Sequence, residues 1–101
     1  MTPTERKRLT SAIYAAIDAT NWLERRISDC PRLIPPSEVG ISYLAAVRAV
    51  DKAEQLAMES HTVDTVRILA SVREYLNVED TTGAKQALTR ALSTVAPRQE
   101  W

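Results

Sequence analysis

The sequence predicts an all-α fold: a compact four-helix, mostly antiparallel bundle with a long first helix. The chain of 101 residues has room for one domain and one modest core. It contains two glycines and no phenylalanine, whereas sheets need turn glycines and favour aromatic residues. Four stretches carry apolar residues at helical spacing, with short connections between them. Short connections place successive helices antiparallel, so we expect one helical domain over residues 1–101.

Helix 1 is predicted over residues 3–29. The segment Thr2-Pro3-Thr4-Glu5 has the form of a capping box, with a proline that fits the first helical position. An apolar stripe with helical spacing follows, formed by Leu9, Ile13, Ala16, Ile17, Thr20, Leu23 and Ile27. The prolines of residues 30–36 prevent continuation, so this stretch is predicted to be a stiff connector.

Helices 2, 3 and 4 are predicted over residues 37–59, 62–77 and 81–96. Small residues dominate the stripe of helix 2, which lets neighbouring helix axes come close. This stripe consists of Ala45, Ala46, Ala49, Val50, Ala53, Leu56 and Ala57. Helix 4 has the most regular pattern of the chain, formed by Ala84, Ala87, Leu88, Ala91, Leu92 and Val95.

Residues near the end of the chain have the spacing of a known helical motif. They are Tyr75, Ala84, Leu88 and Ala91, with Pro97 following. In this spacing the segment resembles the second half of a tetratricopeptide repeat. The resemblance implies a helical hairpin over residues 62–96, and a single copy does not imply a solenoid.

The composition favours neither catalysis nor a metal or cofactor, and we predict no enzymatic activity. One His and one Cys do not supply the four ligands of a usual structural zinc site. Cys30 precedes Pro31 at a helix end, where the helix dipole disfavours a reactive thiolate. Gly40 and Gly83 are far apart in the chain, so neither opens a phosphate-binding loop.

Several carboxylates lie close together in the sequence of helices 2 and 3. They are Asp51, Glu54, Glu59 and Asp64. Two of them would suffice to ligate a divalent ion. These positions fall outside the apolar stripe, however, and the favoured interpretation is a solvated acidic face.

The sequence also bears on localisation. No apolar run approaches the roughly 18–20 residues that span a bilayer, and the first ten residues lack the apolar stretch of a secretory signal. A single cysteine makes no internal disulfide, so folding does not depend on an oxidising compartment. We therefore expect a cytoplasmic protein without membrane contact.

Helix 1 carries the candidate site. Its apolar stripe occupies one side, and small or aromatic residues with a seam-like 3-4-3 spacing continue to the opposite side. Trp, Tyr and Arg, which are enriched in interface hot spots, lie among them. The predicted partner-binding residues are Ala12, Tyr14, Ala15, Ala19, Trp22, Arg25 and Arg26. The alternative is that helix 1 is the central helix, covered by the other three.

Charge is balanced in total but uneven along the chain. Thirteen Lys and Arg match thirteen Asp and Glu, and the residues up to 35 and beyond 80 are net basic around an acidic middle. This layout suits steering towards a protein partner. The leading hypothesis is a non-enzymatic inhibitor or adaptor that docks on a larger protein or complex or associates with itself, with a homodimer as one form. By analogy of size and class alone, one form of this hypothesis is an anti-defence protein of a phage or mobile element.

Two other functions are carried as alternatives. The first is a nucleic-acid-associated regulator that turns Arg6, Lys7 and Arg8, together with Arg25 and Arg26, towards phosphates. Nucleic acid ranks below a protein partner because the chain lacks a net positive charge. The second is a small-molecule sensor with a pocket between helices, lined by Tyr14, Tyr43 or Tyr75.

Overall fold

Four α-helices form the protein in the computed structural model, which describes residues 2–28 and 36–95. They are α1 (Pro3–Ser28), α2 (Pro36–Glu59), α3 (Val63–Asn77) and α4 (Thr81–Val95). The described residues contain no strand. The all-α fold with a long first helix is therefore confirmed. None of the four described helices combines the length and the apolarity needed to cross a bilayer.

The helices form a closed ring in which each one packs against two others. Within the described residues, α1 and α3 each pack against α2 and α4, and no Cα atoms of two diagonally opposite helices lie within 8 Å of each other. Hydrogen bonds join the beginning of one helix to the end of its neighbour at Glu5–Ser60, Tyr43–Asn77, Thr65–Thr94 and Thr81–Glu24. All four neighbouring pairs are therefore antiparallel.

The core lies on the ring axis and combines large side chains with many alanines. The largest fully buried aliphatic residues are Leu9, Ile13, Leu23, Leu69, Leu76 and Leu88. Alanines of α2 and α4, such as Ala53 and Ala87, are fully buried between them. Thr20 is also buried, and its hydroxyl donates to the Ala16 carbonyl at 2.8 Å. Small side chains in the core let the helix axes approach closely.

The beginning of α1 is the predicted capping box. The Glu5 backbone N–H donates to the Thr2 hydroxyl at 3.1 Å, and the Thr2 N–H donates to the Glu5 carboxylate at 3.0 Å. The hydrogen bond from the Thr2 backbone lowers the pKa of Glu5. At the second helix start, Pro36 was predicted in the connector but is the first residue of α2, a position that proline fits well. Residues 29–35, including Cys30, and residues 96–101 lie outside the described part.

The turns after α2 and α3 have the same backbone conformation. His61 and Glu79 both have φ of 58°, in the left-handed region. In each turn the next residue donates its N–H to a carbonyl five residues earlier, from Thr62 to Ala57 and from Asp80 to Tyr75. This is the Schellman pattern, which usually places glycine at the left-handed position. The hairpin of α3 and α4 agrees with the hairpin that the repeat-like spacing implied.

Candidate partner-binding site

A groove runs between the N-terminal half of α1 and the C-terminal half of α2. Its volume is about 770 Å³. Polar and charged residues line it together with small or apolar ones: Thr4, Lys7, Arg8, Ser11, Ala12, Ala15, Ala49, Lys52 and Leu56. Ala12 is buried at its base, whereas Ala15 is exposed. Alanine and serine side chains fill little of the space between the two helices, so the seam stays open here.

A second groove of about 450 Å³ lies at the opposite end of the same seam. It is lined by Ala19, Trp22, Arg26, Ile41, Ser42 and Ala45. Trp22 is 57% exposed and Ile41 is 66% exposed, although both are large apolar residues. Ala45 was predicted in the buried stripe of helix 2, but it is exposed because it faces this groove.

Two arginines hold the ring of Trp22. The guanidinium carbon of Arg25 lies 5.9 Å from the ring centroid, and that of Arg26 lies 5.7 Å from it. These arginines are three and four residues after Trp22, so the helix places both next to the ring. Cation–π contacts of this kind are favourable and restrain an exposed indole.

The structure brings together most of the predicted partner-binding residues. Ala12, Ala15, Ala19, Trp22 and Arg26 line the two grooves, and Arg25 packs on Trp22. We call the lining of both grooves together with Arg25 the α1–α2 face.

Tyr14 is the exception among these residues. It is 54% exposed and lines neither groove. At about 100° per residue, it points roughly 80° away from Trp22 around α1.

The basic residues of the nucleic-acid alternative do not all lie in the same place in the structure. Lys7 and Arg8 line the first groove, whereas Arg6 lines neither groove. Lys52 joins them from α2, and sequence reasoning did not select it. A signal was present: Ala45, Ala49, Lys52 and Leu56 follow a 4-3-4 spacing that complements the 3-4-3 spacing on helix 1.

The charged side chains described on the α1–α2 face are all cationic. Lys7, Arg8 and Lys52 form no ion pair within the described residues, and none of the described carboxylates lines either groove. The first groove therefore presents three cations around an apolar base.

On the α2–α3 seam and on the α1–α4 seam, one cation is paired with carboxylates of the facing helix. Arg73 of α3 contacts Asp51 at 2.5 Å and Glu54 at 2.7 Å on α2. Partial burial lowers the pKa of Arg73, but the two carboxylates outweigh it and raise the pKa. Lys85 of α4 contacts Glu24 of α1 at 2.7 Å, and this hydrogen bond lowers the pKa of Glu24.

The acidic face predicted for helix 2 is only partly solvated. Asp51 and Glu54 hold Arg73, and the Glu54 side chain is 15% exposed. Glu59 and Asp64 are exposed. The periodicity placed these carboxylates outside the core correctly, but it did not show that α3 brings a cation to two of them. No group of potential metal ligands occurs among the described residues.

The three tyrosines of the sensor hypothesis do not converge. The Tyr43 hydroxyl donates to the Asn77 side chain between α2 and α3. Tyr75 packs beside Gly83, where an added Cβ would lie 2.7 Å from the tyrosine ring. Tyr14 is on the outer surface of α1, and no tyrosine lines either groove. The sensor hypothesis needs a pocket beside any one of these tyrosines, and neither of the two grooves provides it.

Comparison of the chain with family models, with curated proteins and with solved structures gave no match. The repeat-like spacing of α3 and α4 is accordingly a likeness of local pattern.

Proposed function

We propose that this protein is a small interaction protein that binds a larger protein or complex through its α1–α2 face, as an inhibitor or adaptor. One observation supports this most strongly. Trp22 and Ile41 are both exposed and line the same groove on a seam of small residues, and the adjoining groove has three cations that form no ion pair with a described residue. Large apolar residues around a concave surface are typical of binding sites, and Trp is enriched in hot spots.

The restraint of Trp22 favours tight binding. A side chain that is already held by Arg25 and Arg26 loses less rotamer freedom when a partner covers it. The indole also offers a large apolar surface for burial. We therefore assign Trp22 as the anchor of the interface.

Self-association through this face is the second form of the proposal. A twofold dimer would place the same patch of both chains in contact. No described carboxylate lines this face, so a second copy would offer Lys7, Arg8 and Lys52 no complementary charge. A larger partner of opposite charge is therefore favoured over a homodimer.

Nucleic-acid binding is a second candidate function because Lys7, Arg8 and Lys52 gather around one groove. It makes a distinct forecast. Binding to duplex DNA would weaken steeply with salt, with a slope of roughly 0.9 per phosphate contact in log affinity against log salt. The apolar base of the groove and the exposed Trp22–Ile41 pair favour a protein surface instead.

Affinity capture from the native host with three forms of the protein tests this function. The baits are wild type, Trp22→Ala and Tyr14→Ala, which removes an aromatic residue of similar exposure outside the grooves. We expect wild type and Tyr14→Ala to retain the same partner and Trp22→Ala to lose it. A partner retained by all three baits would contradict the assignment. The more specific hypothesis of an anti-defence inhibitor stays a prediction.

A further inference from the structure

We infer that the occupant of the α1–α2 face is an amphipathic helix of the partner, with acidic residues at one end and a large apolar residue at the other. This inference rests on the proposed function and specifies what binds there. Three features of the face carry it: the shape of the seam, the sign of its charge, and the unequal character of its two ends.

The shape of the seam fits a third helix. The two grooves follow each other along the furrow between α1 and α2, from Thr4 to Arg26. That interval corresponds to about 33 Å along a helix axis, the length of roughly 20 helical residues. Small residues at the base let a third helix approach to the usual 8–10 Å axis spacing. Docking of an amphipathic helix into an apolar groove is a common recognition mode.

The charge of the face selects acidic residues. Lys7, Arg8 and Lys52 surround the first groove without any ion pair to a described residue. Arg73 and Lys85 on the neighbouring seams each contact carboxylates of the facing helix, whereas the first groove gathers three cations with no lining carboxylate among the described residues. Glu or Asp side chains on a docked helix would provide the missing complementary charge.

The two ends of the seam differ, which gives the partner helix a polarity. The end with Lys7, Arg8 and Lys52 is cationic around its groove. The other end exposes the large apolar surface of Trp22 and Ile41, and its two arginines lie against the Trp22 ring. The matching helix therefore carries its carboxylates in one half. A Leu, Ile, Met or aromatic residue in its other half packs against Trp22.

The same features disfavour a second copy and nucleic acid. The same face of a second copy has no lining carboxylate among its described residues, so it cannot complement the three cations. Phosphates would use the cations but leave the apolar base of the first groove and the Trp22–Ile41 surface without a partner. An acidic amphipathic helix would pair with the cations and also cover the apolar base and the Trp22–Ile41 surface.

A titration with two synthetic peptides tests the inference. The first peptide is a helix of about 20 residues with an alanine stripe along its length, glutamates beside the stripe in one half and a leucine in the other half. The second is identical except that each glutamate is lysine. Amide chemical shifts of the wild-type protein report the binding. We expect the glutamate peptide to bind at least about tenfold more tightly and to shift Ala15, Ala19, Trp22, Ala49 and Lys52.

Two charge-reversal variants refine the test. Lys52→Glu changes the first groove, whereas Arg90→Glu makes the same change of net charge at an exposed site on α4, diagonally across the bundle. We expect Lys52→Glu to weaken binding of the glutamate peptide about tenfold or more, because it replaces an attractive charge with a repulsive one. Arg90→Glu should leave the affinity within about twofold of wild type.

Several results would overturn the inference. They are absence of binding by the glutamate peptide, equal binding of the two peptides, or shifts centred on α3 and α4. Binding of duplex DNA on this face in place of the glutamate peptide would overturn it in favour of nucleic acid. A captured partner that depends on Trp22 but not on Lys52 would leave the proposed function standing and refute the acidic helix. Failure of Trp22→Ala to affect capture would instead refute the proposed function.

Discussion

The α2–α3 and α1–α4 seams differ from the α1–α2 seam in how their charges are compensated. In the first two, a carboxylate of one helix meets a cation of its neighbour, as Glu54 meets Arg73 and Glu24 meets Lys85. In the α1–α2 seam, three cations surround an open groove and Trp22 is exposed. Contacts within the bundle therefore compensate these charges in the first two seams, and our proposal is that a partner supplies the complementary charge in the third.

The largest effect on stability is expected inside the ring. Leu88 of α4 is fully buried, so Leu88→Ala should lower the free energy of unfolding by about 2–5 kcal/mol. Ile41→Ala at the open seam is the matched control, and it should cost less than about 1 kcal/mol because Ile41 is 66% exposed. Urea denaturation measures both variants. Equal losses would show that the α1–α2 seam is as much a part of the core as α4.

A smaller effect is expected from the compensated cation. Arg73→Ala should cost about 1–2 kcal/mol, because it leaves the largely buried Glu54 carboxylate without its partner. Solvent access to Arg73 keeps the cost below that of a fully buried pair. Lys52→Ala should change stability by less than about 0.5 kcal/mol. A loss at Lys52 as large as that at Arg73 would mean that the fold already uses the groove cation.

The two glycines provide a third comparison, between an open and a crowded position. Nothing lies within 4 Å of a Cβ added at Gly40, so Gly40→Ala should stabilise α2 by about 0.5–1 kcal/mol through its higher helix propensity. A Cβ at Gly83 would lie 2.6 Å from an Asp80 carboxylate oxygen, next to the Tyr75 ring. Gly83→Ala should therefore lose this gain. Thermal unfolding distinguishes the two, and equal stabilisation would contradict the crowding at α4.

The smallest effect is a pH dependence of the α1–α4 seam. The hydrogen bond from Lys85 lowers the pKa of Glu24, so the folded state favours the charged carboxylate. This contribution to stability is present above the ordinary glutamate pKa and is lost as the pH falls through the lowered value. Glu24→Gln should therefore reduce the difference in urea midpoint between neutral pH and about pH 3.5. An unchanged difference would mean that the pair contributes no pH-dependent stability.

The sequence predicted the bounds and buried sides of the helices better than it predicted which helices pack against each other. Pro3 and the capping residues marked the beginning of α1, and the spacing of Ala84, Leu88 and Ala91 marked the buried side of α4. These signals are local, because a helix cap and a helical period act within a few residues. The turn after α3 was also predicted, although the left-handed conformation of Glu79 was not, since glycine is the usual signal for it.

The candidate site was predicted for one helix and missed on the other. The spacing of Ala15, Ala19 and Trp22 indicated a seam on helix 1, and these residues do line the grooves. Lys52 was missed because the 4-3-4 spacing on helix 2 is informative only once α2 is known to lie beside that seam, and helical periodicity does not show the order of the helices around the ring. The Glu54–Arg73 pair was missed for the same reason.

Trp22→Ala gives the most direct test of the central claim, that the α1–α2 face serves a partner and not the fold. Both the free energy of unfolding and the affinity for the captured partner are measured on this one variant, with Tyr14→Ala as the control. We predict that association weakens by about 2 kcal/mol or more, as at a hot spot, while the unfolding free energy stays within about 1 kcal/mol of wild type. A loss of about 3–5 kcal/mol in folding stability, with no separate loss of association, would contradict the claim.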